Sequence, residues 1–382
     1  VAAEGSSHAP IPIDVETHPR AHAMKAVVLS QPGAKPLSAA VRLDASAPLP
    51  KPSPGQALVR VVSSAANPVD VYIASGDFGG DGAKGKIMAG DLAGVVEEVV
   101  PVPAAPTSTS QTFKKGDRVW ALTPYFAPST AAAANNPKGG CWAEYAVADL
   151  AWLAPAPSEA SSLPLSDAGA GPLVLLTAWQ ALEAALGPPL PEEGDNTTQP
   201  SPRRVLVTAA AGGVGHVCVQ LAKNAWGCSV VGVAGQRNRD FVLHELGAEE
   251  CVDYADEQAV KVALGEEEGK GGGFDAAVDL LGGAWTARLA RCVAAKKGKV
   301  AHVMNRGTGE ARLEELRKQA GEDRIATIFV KPDGAALARA ARMIEGGKLK
   351  VVVAARFPLE RAGEALEAVS GWHTRGKVVV TV

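Results

Sequence analysis

The chain has 382 residues, 47% hydrophobic and 21% charged, with 41 glycines, 27 prolines and a net charge of −3. That length suggests two or three domains of roughly 100–200 residues. The near-balance of charge excludes a chain built to neutralise nucleic-acid phosphates, the composition is globular rather than disordered or collagen-like, and no apolar run approaches the ~20 residues of a membrane-spanning helix. Five cysteines, Cys141, Cys218, Cys228, Cys251 and Cys292, stand apart without a C-x-x-C pair. They provide neither a zinc-ribbon lobe nor a thioredoxin-type pair, and a reducing compartment is the simpler setting.

Residues 1–23 carry Pro, His and Ala without periodicity and read as a flexible tail. The stretch is either the remnant of a processed transit peptide or an arbitrary chain boundary. From Met24, β-rich runs at Met24–Ser30, Ala57–Ser63, Gly94–Val100 and Asp117–Ala121 are bounded by Pro, Gly and Asp. They predict a small β-barrel-like domain. From Pro172 the pattern changes. Pro172–Leu186 is a helix stopped at Gly187, Arg204–Thr208 a buried strand, Gly213–Asn224 a helix and Cys228–Val233 a strand. A helix over Arg239–Leu246 follows, then strands at Cys251–Asp253, Phe274–Leu280 and Lys299–Val303. This alternation predicts an α/β fold, a doubly wound parallel sheet with helices on both faces.

Beyond Lys331 come a helix over Gly334–Glu345, a strand at Val351–Val353, a helix over Leu359–Val369 and a terminal strand, Val378–Val382. The last strand has no partner near it in sequence and is expected to pair with the first domain. The expected organisation is a tail over 1–23, a first domain over 24–171 completed by 331–382, and a nucleotide-binding domain over 172–330. Segments 101–112, 127–138, 188–202 and 265–273 are rich in Pro, Ser, Thr, Gly and Glu and read as surface insertions.

The strongest signal is RVLVTAAAGGVG, Arg204–Gly215, in which a buried strand enters a Gly-rich turn and then a helix. The spacing is Ala210-x-Gly212-x-x-Gly215, with Gly213 and Val214 completing the turn. Gly212 permits backbone to approach a diphosphate, Gly215 permits close packing of helix on strand, and the helix start offers N–H groups and partial positive charge. An NAD site would carry an acidic residue at the end of the second strand. Here Ala234, Gly235 and Gln236 stand there, followed by Arg237 and Arg239. A guanidinium suits a ribose 2′-phosphate, so the expected cofactor is NADPH, with Lys223 as a further positive charge. The alternative for all three is a solvated surface charge.

Several stretches carry a wider resemblance: SAANPVDVYIASG (64–76), AGDLAGVVEEV (89–99), FKKGDRVWAL (113–122), LLTAWQAL (175–182), VTAAAGGVGHVCVQLAK (207–223), RNRDFVLHELGAEECVDY (237–254) and GKVVV (376–380). In one order they cover most of the chain from Met24. The chain resembles the zinc-independent medium-chain dehydrogenases/reductases of the quinone oxidoreductase branch, in particular the plant chloroplast 2-alkenal reductase and envelope quinone oxidoreductase homologue group. The resemblance implies a GroES-like β-barrel domain, a Rossmann domain and a cleft between them. Zinc-dependent relatives place a cysteine within the stretch here read as Asn67-Pro68-Val69-Asp70 and a His-Glu pair at Gly90-Asp91. The four-cysteine lobe is also missing, so the ligand count provides no zinc site.

The same resemblance implies site residues. Asn67 lies beside the nicotinamide, with capping of its own turn as the alternative. Thr177 contacts the nicotinamide ribose region, with a bond back to its own helix as the alternative. Some relatives carry a tyrosine proton donor just after the NPxD segment, where Phe78 stands here. Solvent or the cofactor 2′-hydroxyl then supplies the proton, and Tyr72 is a weaker donor candidate, otherwise packed. Tyr254, closing the 237–254 stretch, joins the cofactor contacts. Gly282 in LLGG and Asn305 in MNR follow later strands, whose carboxyl ends border the cofactor in this fold. His216 is expected simply to start its helix.

The expected activity is hydride transfer from NADPH to the β-carbon of an α,β-unsaturated carbonyl, an enone or γ-ketol, with the enolate oxygen stabilised and the α-carbon protonated. Quinone reduction is the alternative, and a nucleotide-binding accessory protein without turnover is a third reading. The expected partners are a small enone or quinone and a second copy of the chain, with peripheral membrane association at most. The expected location is the chloroplast, with the cytoplasm as alternative.

Overall fold

The computed structural model describes residues 23–79, 83–102, 112–124, 139–191, 202–266, 272–293, 298–303 and 309–382. Asn305, tail residues 1–22 and most of the four insertions lie outside them.

Six short apolar strands build one parallel sheet: β8 (Arg204–Val207), β9 (Ser229–Ala234), β10 (Glu250–Asp253), β11 (Ala276–Asp279), β12 (Lys299–Val303) and β13 (Ile325–Ile328). Their order is β10-β9-β8-β11-β12-β13. The chain runs outward one way from β8, then returns to β11 and runs outward the other way. That reversal opens a crevice at the carboxyl end of β8, where an open parallel sheet takes its ligand. Strands buried on both faces carry little alternation, which is why VLV and VVGVA read as plain apolar runs. Helices cover both faces. α3 (Pro172–Leu186), α4 (Gly215–Asn224) and α8 (Gly334–Glu345) share one core, and α5 (Glu257–Leu264), α6 (Ala284–Cys292) and α7 (Glu310–Ala320) share the other.

The first domain is antiparallel. β1 (Ala23–Leu29) pairs with β2 (Val41–Pro48). β3 (Gln56–Ala66), β4 (Asp91–Val100), β5 (Arg118–Leu122) and β7 (Ala154–Pro155) follow one another in a larger sheet, and β6 (Tyr145–Asp149) pairs with β3. α1 (Pro68–Ala74) follows β3 directly, and α2 (Leu165–Ala168) precedes the second domain. The carboxy-terminal chain returns here through β14 (Val353–Pro358), α9 (Ala362–Ser370) and β15 (Lys377–Thr381). β15 lies inside the sheet, antiparallel to β3 and parallel to β14.

Several elements depart from the reading of the residues, which did not single out β6, β7, β13, α2, α5, α6 or α7. β2 was invisible because it is an exposed partner of β1 with no apolar period. α1 is only seven residues long, below the length at which periodicity is legible. The predicted helix over Arg239–Leu246 is present, but it widens into a π-helical turn over Phe241–Glu245. The strand expected at Val351–Val353 begins at Val353 instead, because the preceding chain is spent on α4.

That docking is regular. His216 Nε2 accepts the Val352 N–H at 3.1 Å. Gln220 Nε2 donates to the Lys350 carbonyl at 2.9 Å, and its Oε1 accepts the Lys350 N–H at 2.8 Å. Asn224 Nδ2 donates to the Lys348 carbonyl at 2.5 Å. Four helical residues rise about 6 Å, close to the advance of about 6.6 Å over two extended residues. Polar side chains every fourth residue therefore meet backbone groups every second residue. His216 does sit in the first turn, and it also docks the returning chain.

Candidate active site

The glycine turn joins β8 to α4 in the crevice. Ala209 has a φ of +47°, the left-handed region that L residues rarely adopt. The turn is held by Ala210 N–H to Val233 O and Gly212 N–H to Ala209 O, both 2.9 Å. A Cβ at Gly215 would stand 2.1 Å from Ala209 O, so helix and turn touch there as backbone. At Gly212 the same carbonyl lies 3.2 Å away, and at Gly213 the nearest atom is Lys377 Cδ at 3.4 Å. No side chain caps α4, whose N-cap is Val214. An uncapped helix start behind a side-chain-free turn fits the diphosphate of a dinucleotide.

The end of β9 gathers the positive charge. Arg237 is exposed, and its Nη2 reaches His373 O at 3.5 Å. Arg375 donates to Asn238 Oδ1 at 3.0 Å and to Arg237 O at 3.2 Å, its guanidinium 5.1 Å over the Phe241 ring. Tyr254 packs its ring on Gly235, where a Cβ would meet the hydroxyl at 3.1 Å. Arg239 spends one N–H on Cys251 O at 2.6 Å, a bond to the next strand. Lys223 is a correction. It lies in the last turn of α4, with its Nζ against Gly247, at the opposite end of the helix from the glycine turn. A helix that starts at the carboxyl edge of the sheet carries its last turn to the other edge, away from any phosphate.

Gly282 lies after β11 with its N–H bonded to Asp279 Oδ1 at 2.9 Å. Asp279 also receives Thr286 Oγ1 at 2.7 Å and His302 Nδ1 at 2.9 Å. Burial works against its charge, but the bonds from His302, Thr286 and Gly282 outweigh it and hold its carboxyl below the usual range. The loop at Leu280–Gly283 is thus preset by the strand before it.

The first domain contributes a buried polar cluster. Asn67 caps α1, and its own N–H donates to Asp70 Oδ2 at 2.7 Å. Its amide Nδ2 donates to Asp91 Oδ2 at 2.7 Å, and its Oδ1 accepts from Lys377 Nζ. Lys377 Nζ also donates to Ala66 O at 3.0 Å. Asp91 Oδ1 accepts the Leu173 N–H, in the first turn of α3, at 2.6 Å. Burial pushes the Asp91 carboxyl up, with Lys377 and Asn67 opposing, and pushes the Lys377 ammonium down, with Asp91 and Asp70 opposing. The Cys141 thiol, 3.3 Å from Thr123 Oγ1, is pushed up to about 12 by burial and stays protonated. Thr177 donates to Leu173 O at 2.7 Å, the bond back to its own helix. Tyr72 is half-buried, its ring 5.7 Å from that of Trp372.

The structure therefore brings Asn67, Lys377 and Gly213 together, and Arg237 with Tyr254's strand end. Arg375, Lys377, Asp91 and Trp372 escaped the reading of the residues. GKVVV was visible as a motif, but nothing local says that a lysine near the chain end folds back onto Asn67. Among the described residues no group of three or more His, Cys, Asp or Glu is arranged to hold a metal ion, and no helix is long and apolar enough to cross a membrane.

A two-domain oxidoreductase with a dinucleotide crevice is the class that this fold and site define. Residues 53–158 match the alcohol dehydrogenase GroES-like domain and residues 246–380 the zinc-binding dehydrogenase domain. The chain is 31% identical over 296 residues to the Arthroderma benhamiae protein named "Probable zinc-binding oxidoreductase, mitochondrial", covering 76% of this chain and 78% of the relative. It is 28% identical over 361 residues to the chloroplastic NADPH-dependent alkenal/one oxidoreductase of Arabidopsis thaliana, covering 94% and 79%. The quinone oxidoreductase structure from Coxiella burnetii superposes with a TM-score of 0.70 at 26% identity, over 94% of this chain and 99% of that one. The chain belongs to the medium-chain dehydrogenase/reductase family, in its zinc-independent quinone oxidoreductase branch.

Proposed function

We propose that the protein is an NADPH-dependent reductase of the C=C bond of α,β-unsaturated carbonyls, enones and γ-ketols. The observation that carries the cofactor choice is the pair Arg237 and Arg375 at the end of β9, with no carboxylate at Ala234–Gln236. Two guanidinium groups suit a 2′-phosphate and leave a 2′-hydroxyl without an acceptor. Bound NADPH supplies the hydride. The residues of the chain do the rest in this reading. Gly212, Gly213, Val214 and Gly215, with Ala210 behind them, receive the diphosphate. Tyr254 and Gly282 border the nucleotide, and Thr177, whose hydroxyl proton goes to Leu173 O, contacts its ribose region. Asn67 borders the nicotinamide with its amide orientation fixed by Lys377 and Asp91. The proton comes from Tyr72 or from solvent or the cofactor 2′-hydroxyl.

The alkenal/one oxidoreductase from Arabidopsis supports the enone as acceptor, and its plastid location supports the same compartment here. The likeness to the Coxiella quinone oxidoreductase favours quinone reduction as the second reading. A homodimer acting on a small molecule completes the proposal. The test is NADPH consumption by purified protein with a panel of medium-chain enones, γ-ketols and quinones, with products identified. A saturated β-carbon in the product confirms enone reduction. Hydroquinone alone favours the second reading. NADPH binding without turnover on any acceptor rejects both and leaves an accessory protein.

A further inference from the structure

The segment 371–376 joins α9 to β15, and both belong to the first domain. Leu366 of α9 shares a core with Val71 of α1, and β15 pairs with β3. The side chains of this segment nevertheless bond to the second domain. Arg375 Nε donates to Asn238 Oδ1 at 3.0 Å, and its Nη2 donates to Arg237 O at 3.2 Å. Arg237 Nη2 in turn donates to His373 O at 3.5 Å. Each arginine thus bonds the segment that carries the other, across the domain boundary. The buried Phe241 ring lies under the Arg375 guanidinium, 5.1 Å from it, and an aromatic face attracts a cation. Asn238 and Phe241 therefore fix where Arg375 points.

Neither guanidinium meets a carboxylate among the described residues, and Arg375 Nη1 has no protein acceptor there. Two positive charges gathered without a counter-charge favour an anion between them. The same segment also leads into the cleft. Gly376 N–H donates to Ala211 O in the glycine turn at 3.1 Å, and Lys377, two residues from Arg375, holds the Asn67 side chain. One short run of the first domain therefore touches the end of β9, the glycine turn and Asn67 in succession.

We propose that Arg237 and Arg375 form a clasp between the domains that closes on the 2′-phosphate of NADPH, with Asn238 and Phe241 as the positioning residues that aim Arg375. The proposal rests on the NADPH reading above and extends it from affinity to rate. Contacts far from the reacting carbon speed a reaction when their binding energy goes into orientation. Arg375 held on a phosphate steadies the run that ends on Lys377. Lys377 then holds Asn67 in place against the second domain, where the dinucleotide lies. With NADH the two arginines have no phosphate to close on, and the first domain is less firmly placed.

The experiment measures kcat/KM for the acceptor at saturating NADPH and at saturating NADH, a quantity that leaves out the strength of cofactor binding. The acceptor is whichever member of the enone and quinone panel turns over fastest. In the wild type the value should be about tenfold higher with NADPH, the scale of one charge-assisted hydrogen bond. That advantage should shrink to less than about twofold in Arg375→Ala, and by about threefold in Asn238→Ala. A general loss of structure lowers both cofactors alike and leaves the ratio where it was, so an unchanged ratio in Asn238→Ala overturns the positioning role. Hydrogen exchange provides a readout without turnover. Amides of residues 372–377 should be slowed more by saturating NADPH than by saturating NADH in the wild type, and alike by both in Arg375→Ala. Equal acceptor kcat/KM with the two cofactors overturns the clasp, and the NADPH reading stands if NADPH still binds more tightly. If NADH binds as tightly as NADPH, the NADPH reading fails and the clasp falls with it. If no acceptor is reduced, exchange decides, and equal slowing in the wild type overturns the clasp.

Discussion

Lys377 donates a hydrogen bond to the side-chain oxygen of Asn67, tying the last strand of the chain to the cap of α1, and both groups are buried. The ammonium also serves Ala66 O and balances Asp91. Removing one member of such a cluster strands the others. Lys377→Met should cost about 3–5 kcal/mol, the range for a buried charge left without its partner. Lys377→Met with Asp91→Asn should recover part of that loss, since no carboxylate is then stranded. Urea unfolding of the single and double variants measures both.

Arg237→Ala and Arg375→Ala should each raise the KM for NADPH about tenfold, the scale of one charge-assisted bond to phosphate. The KM for NADH should move by less than about twofold, because it lacks the phosphate. Lys223→Ala, at the far end of α4, should leave both unchanged. Steady-state kinetics with the two cofactors checks the three variants together.

His216 is held neutral. Burial lowers its pKa from 6.5 to about 4, against the bonds from Gly212 and Gly213 that raise it. Its Nδ1 donates to Gly212 O at 2.9 Å and its Nε2 accepts from Val352, so a second proton would break the docking. The folded form thus binds a proton less readily than the unfolded chain. Its contribution is full above about pH 6.5 and is lost as pH falls toward about 4, by on the order of 3 kcal/mol. His216→Gln removes the titration. The difference in urea midpoint between the two proteins should shrink as pH falls through that interval.

Glycines in the turn should separate by function. Gly215→Ala forces a Cβ to 2.1 Å from a carbonyl and should lower stability by at least about 3 kcal/mol. Gly213→Ala meets only Lys377 Cδ, at 3.4 Å, and should stay within about 1 kcal/mol. It should nevertheless weaken the dinucleotide, because the new methyl crowds the turn that receives the diphosphate. Thermal melts with and without NADPH distinguish the two.

Much of the nucleotide-binding sheet was legible because its signals are local. RVLVTAAAGGVG carries strand, turn and helix within twelve residues, and the missing carboxylate after β9 is a matter of counting. The first domain was less legible. β2 has no apolar period, and α1 is too short to show one. The polar cluster was not legible at all as a cluster. Asn67, Asp91 and Lys377 are separated by 24 and 286 residues, and only β15 pairing with β3 brings the last beside the first. Lys223 misled because sequence proximity to the glycine turn ignores the length of the helix between them. Arg375 was missed for the opposite reason, since it reaches the end of β9 from the far end of the chain.

The position of β15 has a consequence for how the protein is made. It is an interior strand of the first domain, flanked by β14 and β3, yet it is synthesised after every strand of the parallel sheet. On a ribosome, the strands from β3 to β7 emerge early and must wait with an open edge while the whole parallel sheet is made. The parallel sheet needs no residue beyond β13 to complete its own order of strands. Vectorial synthesis would therefore finish the second domain before the first.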